Sequence, residues 1–170
     1  MPLDWLNDPS LMAPPRAVRV PLDDGCFVLR SPESLKPYAR CIGEWLEHWA
    51  DRTPDAPAFA ERQPDGGWQR LTWRETRERV GRIAQSLLDM KLPPNAPVVV
   101  LSDNALEHLL LALAAMHVGI PVCTVSSAYC RLTQDYGKVH GILNTLGPAL
   151  VYASDAAVYG AAVAGSGLRC

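Results

Sequence analysis

Two short polar runs stand where an α/β protein would do chemistry. Ser102-Asp103-Asn104 follows the apolar run Pro97–Leu101, and Ser126-Ser127, with Tyr129, follows Ile120–Val125. Their hydroxyl, carboxylate and amide groups suit the binding of a small polar molecule, because open α/β sheets take ligands beyond the carboxyl ends of their strands. Ser126, Ser127 and Tyr129 are the candidate cofactor-contacting residues. Each run also has a plain structural use. Ser102 to Asn104 would cap the next helix, and Ser126 to Arg131 would make a turn.

Other reactive residue types form no constellation. His108 and His117 are not spaced as i and i+4 zinc ligands on one helix face, and Glu107 and His108 are neighbours that point in different directions on a helix. His140 sits mid-helix with no partner in sequence, so each histidine reads as a packing or surface residue. Cys26, Cys41, Cys123, Cys130 and Cys170 match neither a C-x-x-C nor a zinc pattern. They read as reduced thiols of a cytoplasmic protein. The sequence holds no G-x-x-x-x-G-K-[ST], no G-x-G-x-x-G and no G-x-S-x-G. No catalytic residue and no metal ligand follows from the residues themselves.

The elements that would position the polar runs are legible in the patterning. Residues 1–40 form an irregular arm broken by Pro14, Pro15, Pro21, Pro32 and Pro37. Within it, Asp23-Asp24-Gly25 joins two alternating stretches, Arg16–Pro21 and Cys26–Arg30, as a small hairpin. Ile42–Arg52 repeats apolar residues with helical spacing, with Trp45 and Trp49 expected to anchor it to a core. Ala58–Gln63 and Trp68–Leu71 flank Pro64-Asp65-Gly66-Gly67, a second hairpin. Thr72 and Glu75 make a capping box for a helix reaching about Met90. Thr76, Val80, Ile83, Ala84, Leu87 and Leu88 lie on its inner face, and Arg74, Arg77, Arg79 and Arg82 on a wet, salt-bridged one.

From residue 97 the pattern is β-α-β-α-β: Pro97–Leu101, a helix to His117, Ile120–Val125, a helix over Thr133–Leu146, and Ala149–Ala153. A weak helix opens in residues 155–170. Strands joined by helices lie parallel with right-handed crossovers. The expected fold is α/β, the N-terminal portion of a doubly wound, mostly parallel sheet preceded by an irregular arm and a β-hairpin. Three strands are too few to complete such a sheet, so the domain is expected to be incomplete.

Composition narrows the classes. With 170 residues, 48% hydrophobic and 20% charged, the chain is long enough to bury one core. A net charge of −2 gives no basic face for nucleic acid. The longest apolar stretch, Ala105–Val118, contains Glu107, His108 and His117 and is too short to span a bilayer.

Several strings resemble the N-terminal region of the adenylate-forming acyl- and aryl-CoA synthetases. These are W-A-D-R-T-P-D-A-P-A over Trp49–Ala58, L-T-W-R-E over Leu71–Glu75, V-V-V-L-S followed by N-x-x-E-H over Val98–His108, and L-A-L-A-A-M-H-V-G-I-P-V over Leu111–Val122. P-R-A-V-R-V (Pro15–Val20), L-R-S-P-E (Leu29–Glu33) and C-I-G-E-W-L-E-H-W-A (Cys41–Ala50) are most similar to the feruloyl-CoA synthetase branch. The resemblance implies a division into an arm over 1–40 and a partial AMP-dependent synthetase/ligase N-terminal domain over 41–170. It implies a two-step reaction: a carboxylate, from ferulate or a related hydroxycinnamate, attacks ATP to give an acyl-adenylate, and CoA then displaces AMP. ATP, CoA and Mg2+ are the implied cofactors of the whole enzyme. None is expected to bind tightly to this chain, because the family's T-S-G-T-T-G-x-P-K loop and its catalytic lysine match nothing here. Lys36, Lys91 and Lys138 are the only lysines, and none lies in a matching string. The chain therefore reads as a fragment, inactive alone, whose partner would be the missing C-terminal remainder. Two other readings stay open: a flavodoxin-like binding module, which would need about five strands, and an interaction subunit of a split ligase.

Overall fold

The computed structural model describes residues 16–133 and 135–167, which fall into two compact units divided after Tyr38. Met1 to Pro15 of the arm, Gln134 and Cys170 lie outside the described residues.

The first unit is the hairpin of β1 (Val18–Pro21) and β2 (Phe27–Arg30), paired antiparallel with Val18 opposite Arg30. Asp24 and Gly25 make the turn. The Asp24 carboxylate accepts from the Cys26 amide at 3.0 Å, and Gly25 has φ +81°, a conformation that costs glycine little. The Arg19 guanidinium lies 4.2 Å from the Phe27 ring centre.

The second unit begins with α1 (Ile42–Arg52), followed by the antiparallel hairpin β3 (Pro57–Arg62) and β4 (Trp68–Thr72). Thr72 then caps α2 (Trp73–Asp89) with both halves of the expected capping box: the Thr72 hydroxyl accepts from the Glu75 amide at 3.2 Å and Glu75 accepts from the Thr72 amide at 2.8 Å. The remaining elements are β5 (Val98–Leu101), α3 (Leu106–His117), β6 (Val122–Val125), α4 (Ala128–Arg131), α5 (Gly137–Leu146), β7 (Leu150–Ala153) and α6 (Ala156–Ala164).

The parallel sheet has the order β6-β5-β7, with Val98 level with Val122 on one side and Leu150 on the other. The chain thus leaves β5 for one edge and then crosses over it to reach the opposite edge. With crossovers of one hand, that reversal puts α3 and α5 on opposite faces. Side chains alternate accordingly along β5. Val98 and Val100 pack with Leu46, Val80, Leu87 and Leu110, whereas Val99 and Leu101 pack with Val139, Leu143 and Tyr159. All four β5 residues are fully buried, as an unbroken apolar run in a two-sided sheet requires.

Local details depart from the sequence reading. Leu88 is 51% exposed, so the inner face of α2 ends at Leu87. Helix α1 buries Gly43, Leu46 and Ala50. Trp45 is 51% exposed and does not anchor the helix, whereas Trp49 stacks on Trp73 with ring centres 6.2 Å apart. The stretch expected as a loop, 126–131, contains the single helical turn α4, and α5 begins at Gly137, four residues later than expected from Thr133. The Asp135 carboxylate, which accepts from the Gly137 amide at 2.9 Å, organises that later start.

Candidate functional site

The chain leaves β5 at Leu101 and enters α3 only at Ala105, its N-cap, so Ser102, Asp103 and Asn104 do not cap the helix as expected. The cap comes from elsewhere: Glu61 of β3 accepts from the Leu106 amide at 2.8 Å. That frees the three polar residues for other contacts. Ser102 is buried and donates to the Asp103 carbonyl at 2.7 Å, and His108 Nδ1 lies 3.2 Å from the same carbonyl. The Asp103 side chain reaches across to Arg131 of α4 and pairs with its guanidinium. The Ser127 hydroxyl, first, and then Arg131 hold the Asp103 carboxyl below its ordinary value of 3.8. In return the Asp103 carboxylate, by hydrogen bond first and by its charge, pushes Arg131 above its ordinary value.

The Tyr159 hydroxyl lies toward Arg131 but makes no hydrogen bond of acceptable geometry, and its side chain is wholly buried. An unpartnered buried hydroxyl carries a desolvation cost.

These contacts border a recess of about 260 Å³ beyond the carboxyl ends of β5 and β6, lined by Ser102, Asn104, His108, Thr124, Ser126 and Ser127 among others. A second, larger cleft of about 790 Å³ runs beside β6 and α5, where Tyr129 and Lys138 face one another with Nζ 5.3 Å from the ring centre. The structure therefore divides the three candidate residues. Ser127 lines the recess, Tyr129 lines the cleft, and Ser126 lines both.

Two functional-looking residues escape sequence reading. Arg131 has no local signal, because its partner Asp103 is remote in the chain and meets it only through the β5–β6 register. His140 has a partner after all. Its Nε2 lies 2.9 Å from the Ala162 carbonyl, and its ring lies against Gly165, so it braces the end of α6.

The recess offers hydroxyl, amide and imidazole groups that can bind through hydrogen bonds. Burial pushes the Cys130 thiol up from its ordinary value, which disfavours the thiolate. Burial, with the Glu107 charge behind it, likewise pushes the Tyr152 phenol up. Among the described residues no group of three His, Cys, Asp or Glu side chains could hold a metal ion, and no helix is long and apolar enough to cross a membrane.

Comparison with known proteins places this geometry. The model of the AMP-binding enzyme family matches residues 46–165, from α1 through α6. A curated salicylyl-CoA synthase / salicylate adenylyltransferase from a Streptomyces species is 33% identical over 81 residues, which are 48% of this chain and 14% of that protein. The chain thus spans about 14% of the length of that curated relative. Among solved structures, a luciferase-like enzyme from the nonluminescent mealworm Zophobas morio superposes with TM-score 0.66 at 16% identity, over 81% of this chain and 32% of that one. A candidate long-chain-fatty-acid CoA ligase from Rhodopseudomonas palustris superposes with TM-score 0.62 at 27% identity, over 74% of this chain and 29% of that one. A fatty acyl-adenylate ligase from L. pneumophila, solved with acyl adenylate and pyrophosphate, gives TM-score 0.58 at 15% identity, over 69% of this chain and 21% of that one. The α/β fold with its three parallel strands and antiparallel hairpin is the N-terminal architecture of adenylate-forming ligases.

Proposed function

Because the chain belongs to the AMP-binding enzyme family, we propose that it is the N-terminal segment of an ATP-dependent acid–thiol ligase. The enzyme would join a carboxylate to AMP and pass the acyl group to CoA. The observation that carries this reading is the family match over residues 46–165, which includes all three strands of the parallel sheet and the helices on both its faces. Joining the carboxylate to AMP turns a poor leaving group into a good one, which is what the thiol of CoA needs for displacement.

The finer parts of the proposal are an aryl substrate such as ferulate or a related hydroxycinnamate, a cytoplasmic location, and the arm/domain boundary near residue 40. The strings Leu29–Glu33 and Cys41–Ala50 support the hydroxycinnamate branch. The salicylate enzyme among the relatives also acts on an aromatic acid.

The residues present do not fit a triphosphate or its magnesium. The recess at Ser126 and Ser127 is bordered by the Asp103 carboxylate, and the Arg131 guanidinium beside it is already engaged by that carboxylate. No cluster of metal-ligating side chains stands there among the described residues. We therefore assign Ser126, Ser127 and Tyr129 no step on ATP. The role of this segment is to build the sheet on which the reaction centre is mounted, and its 170 residues alone are expected to form no acyl-adenylate.

The test is ATP–pyrophosphate exchange and thioester formation with ferulate, salicylate and a long-chain fatty acid. It is run on the chain alone and on a polypeptide joining it to the family's remaining motifs. Carboxylate-dependent exchange by the joined polypeptide only, greatest with ferulate, supports the reading. Exchange by the chain alone would refute its scaffold role, and none from the joined polypeptide would refute the ligase assignment.

A further inference from the structure

Cys41 stands at the N-cap of α1 with an extended backbone, and its side chain makes no capping hydrogen bond. Its thiol is free and exposed. Two residues on, Gly43 is buried, and the space where its side chain would begin is shared by two reactive groups. A Cβ there would stand 2.8 Å from His117 Nδ1 and 3.6 Å from Cys41 Sγ. The thiol of α1 and the imidazole of α3 are therefore neighbours across a gap that glycine keeps open.

The other ring nitrogen meets a carboxylate. His117 Nε2 lies 4.0 Å from Glu47 Oε1, while Glu47 Oε2 is held at 2.8 Å by Arg77 of α2. Arg77 thus fixes the carboxylate by one oxygen and leaves the second turned to the ring. The remaining charges at this end of α1, Arg40 and Glu44, pair with each other at 3.1 Å. Thiol, imidazole and carboxylate follow one another in the order that activates a nucleophile. With Nε2–H directed to Glu47, Nδ1 is the basic nitrogen, and it faces the Cys41 side. The first amides of a helix have no acceptor within it, and they favour negative charge developing on a sulfur at the N-cap. The three side chains do not form a metal-binding group.

We propose that Cys41 is a thiol-exchange site for small disulfides, with His117 as its base and Glu47 as the residue that positions His117. As the Cys41 thiol attacks, its proton passes to His117 Nδ1. A bond forms between Sγ and one sulfur of the disulfide, the bond between the two disulfide sulfurs breaks, and the leaving thiolate takes the proton from the imidazolium. One disulfide is consumed and one mixed disulfide and one thiol are formed, so no other oxidant enters. The site is separate from the adenylation chemistry, and its failure would leave the ligase assignment standing.

The test treats the purified 170-residue chain with 2-hydroxyethyl disulfide, a neutral probe, and follows the adduct on the Cys41 peptide by mass spectrometry after an acid quench. The same thiol in the urea-unfolded chain is the reference. At pH 7 the folded chain is expected to react at Cys41 at least about tenfold faster than the reference. Its rate should rise through the range in which an imidazole loses its proton, about pH 6–7, and then flatten, while the reference climbs toward about pH 8.5. His117→Asn should return both rate and profile to the reference. Glu47→Gln should lower the rate several-fold, keep the bend in the profile and leave the circular dichroism native. A folded-state rate at or below the reference, or a profile without the bend, would overturn the proposal. So would a natively folded His117→Asn variant that keeps the wild-type rate. Should that variant fail to fold, a Glu47→Gln rate equal to wild type would overturn it instead.

Discussion

The Glu61 carboxylate accepts the Leu106 amide at 2.8 Å, so a residue of the β3–β4 hairpin caps the first turn of α3. A cap of this kind is worth about 1 kcal/mol. Glu61→Ala is therefore expected to lower the unfolding free energy by about 1 kcal/mol, and Glu61→Gln, which keeps an acceptor oxygen, by less. Equilibrium urea denaturation of both variants checks this. Equal losses would show that the carboxylate is not the cap.

Gly43 and His117 mark where α1 crosses the end of α3. A Cβ at Gly43 would stand 2.8 Å from His117 Nδ1. Gly43→Ala should gain roughly 0.5–1 kcal/mol of helix propensity and lose about 1–3 kcal/mol to overpacking, a net destabilisation. In a His117→Ala background the clash is gone, and the same substitution is expected to stabilise. The sign reversal is read from a four-member double-mutant cycle. If Gly43→Ala destabilises equally in both backgrounds, the ring is not the obstacle.

Asp103 makes part of the stability pH-dependent. The Ser127 hydroxyl and Arg131 hold its folded-state value below the ordinary 3.8 that the unfolded chain would show. The folded state therefore binds fewer protons at this group. Its contribution is complete above the unfolded value and is lost as pH falls from there through the lower folded value. Asp103→Asn should flatten the acid limb of a stability-versus-pH curve below about pH 4. Limbs of identical slope would remove Asp103 from the account.

Tyr159 buries a hydroxyl that finds no partner. Removing it should relieve rather than impose a cost, so Tyr159→Phe is expected to be neutral or stabilising by up to about 1 kcal/mol. Tyr159→Ala, which empties a fully buried site in the cluster with Val99 and Leu101, should cost about 3–5 kcal/mol. A loss above about 1 kcal/mol in the Phe variant would reveal a hydrogen bond at that oxygen.

The parts of this molecule that are legible in sequence are those governed by short-range chemistry. The Thr72–Glu75 capping box, the Asp65-Gly66-Gly67 turn and the unbroken Val98–Leu101 run each announce themselves within a few residues, and each stands where expected. The departures come from contacts made across the fold. Ser102 to Asn104 look like a cap because nothing local reveals Glu61. His140 looks unpartnered because its acceptor, Ala162, lies on α6. Trp45 shares the helical spacing of Leu46 and Trp49, but the packed face of α1 runs through Gly43, Leu46 and Ala50, with Gly43 lying against His117 of α3. The recess itself is a product of the β6-β5-β7 order, and strand order is not written in any single stretch.

The position of β5 between β6 and β7 bears on how the chain acquires its shape while leaving the ribosome. The β5–β6 pair can zip as soon as Val125 emerges, with α3 already laid against Val98 and Val100. Val99 and Leu101 gain Val125 and Cys130 early, but Val139, Leu143, Tyr159 and Ala162 arrive only with α5 and α6, so their side of the ribbon is not fully covered until the chain reaches Ala162. Slow codons or a holdase acting before that length would guard one specific stripe, Val99 with Leu101, rather than the nascent polypeptide at large.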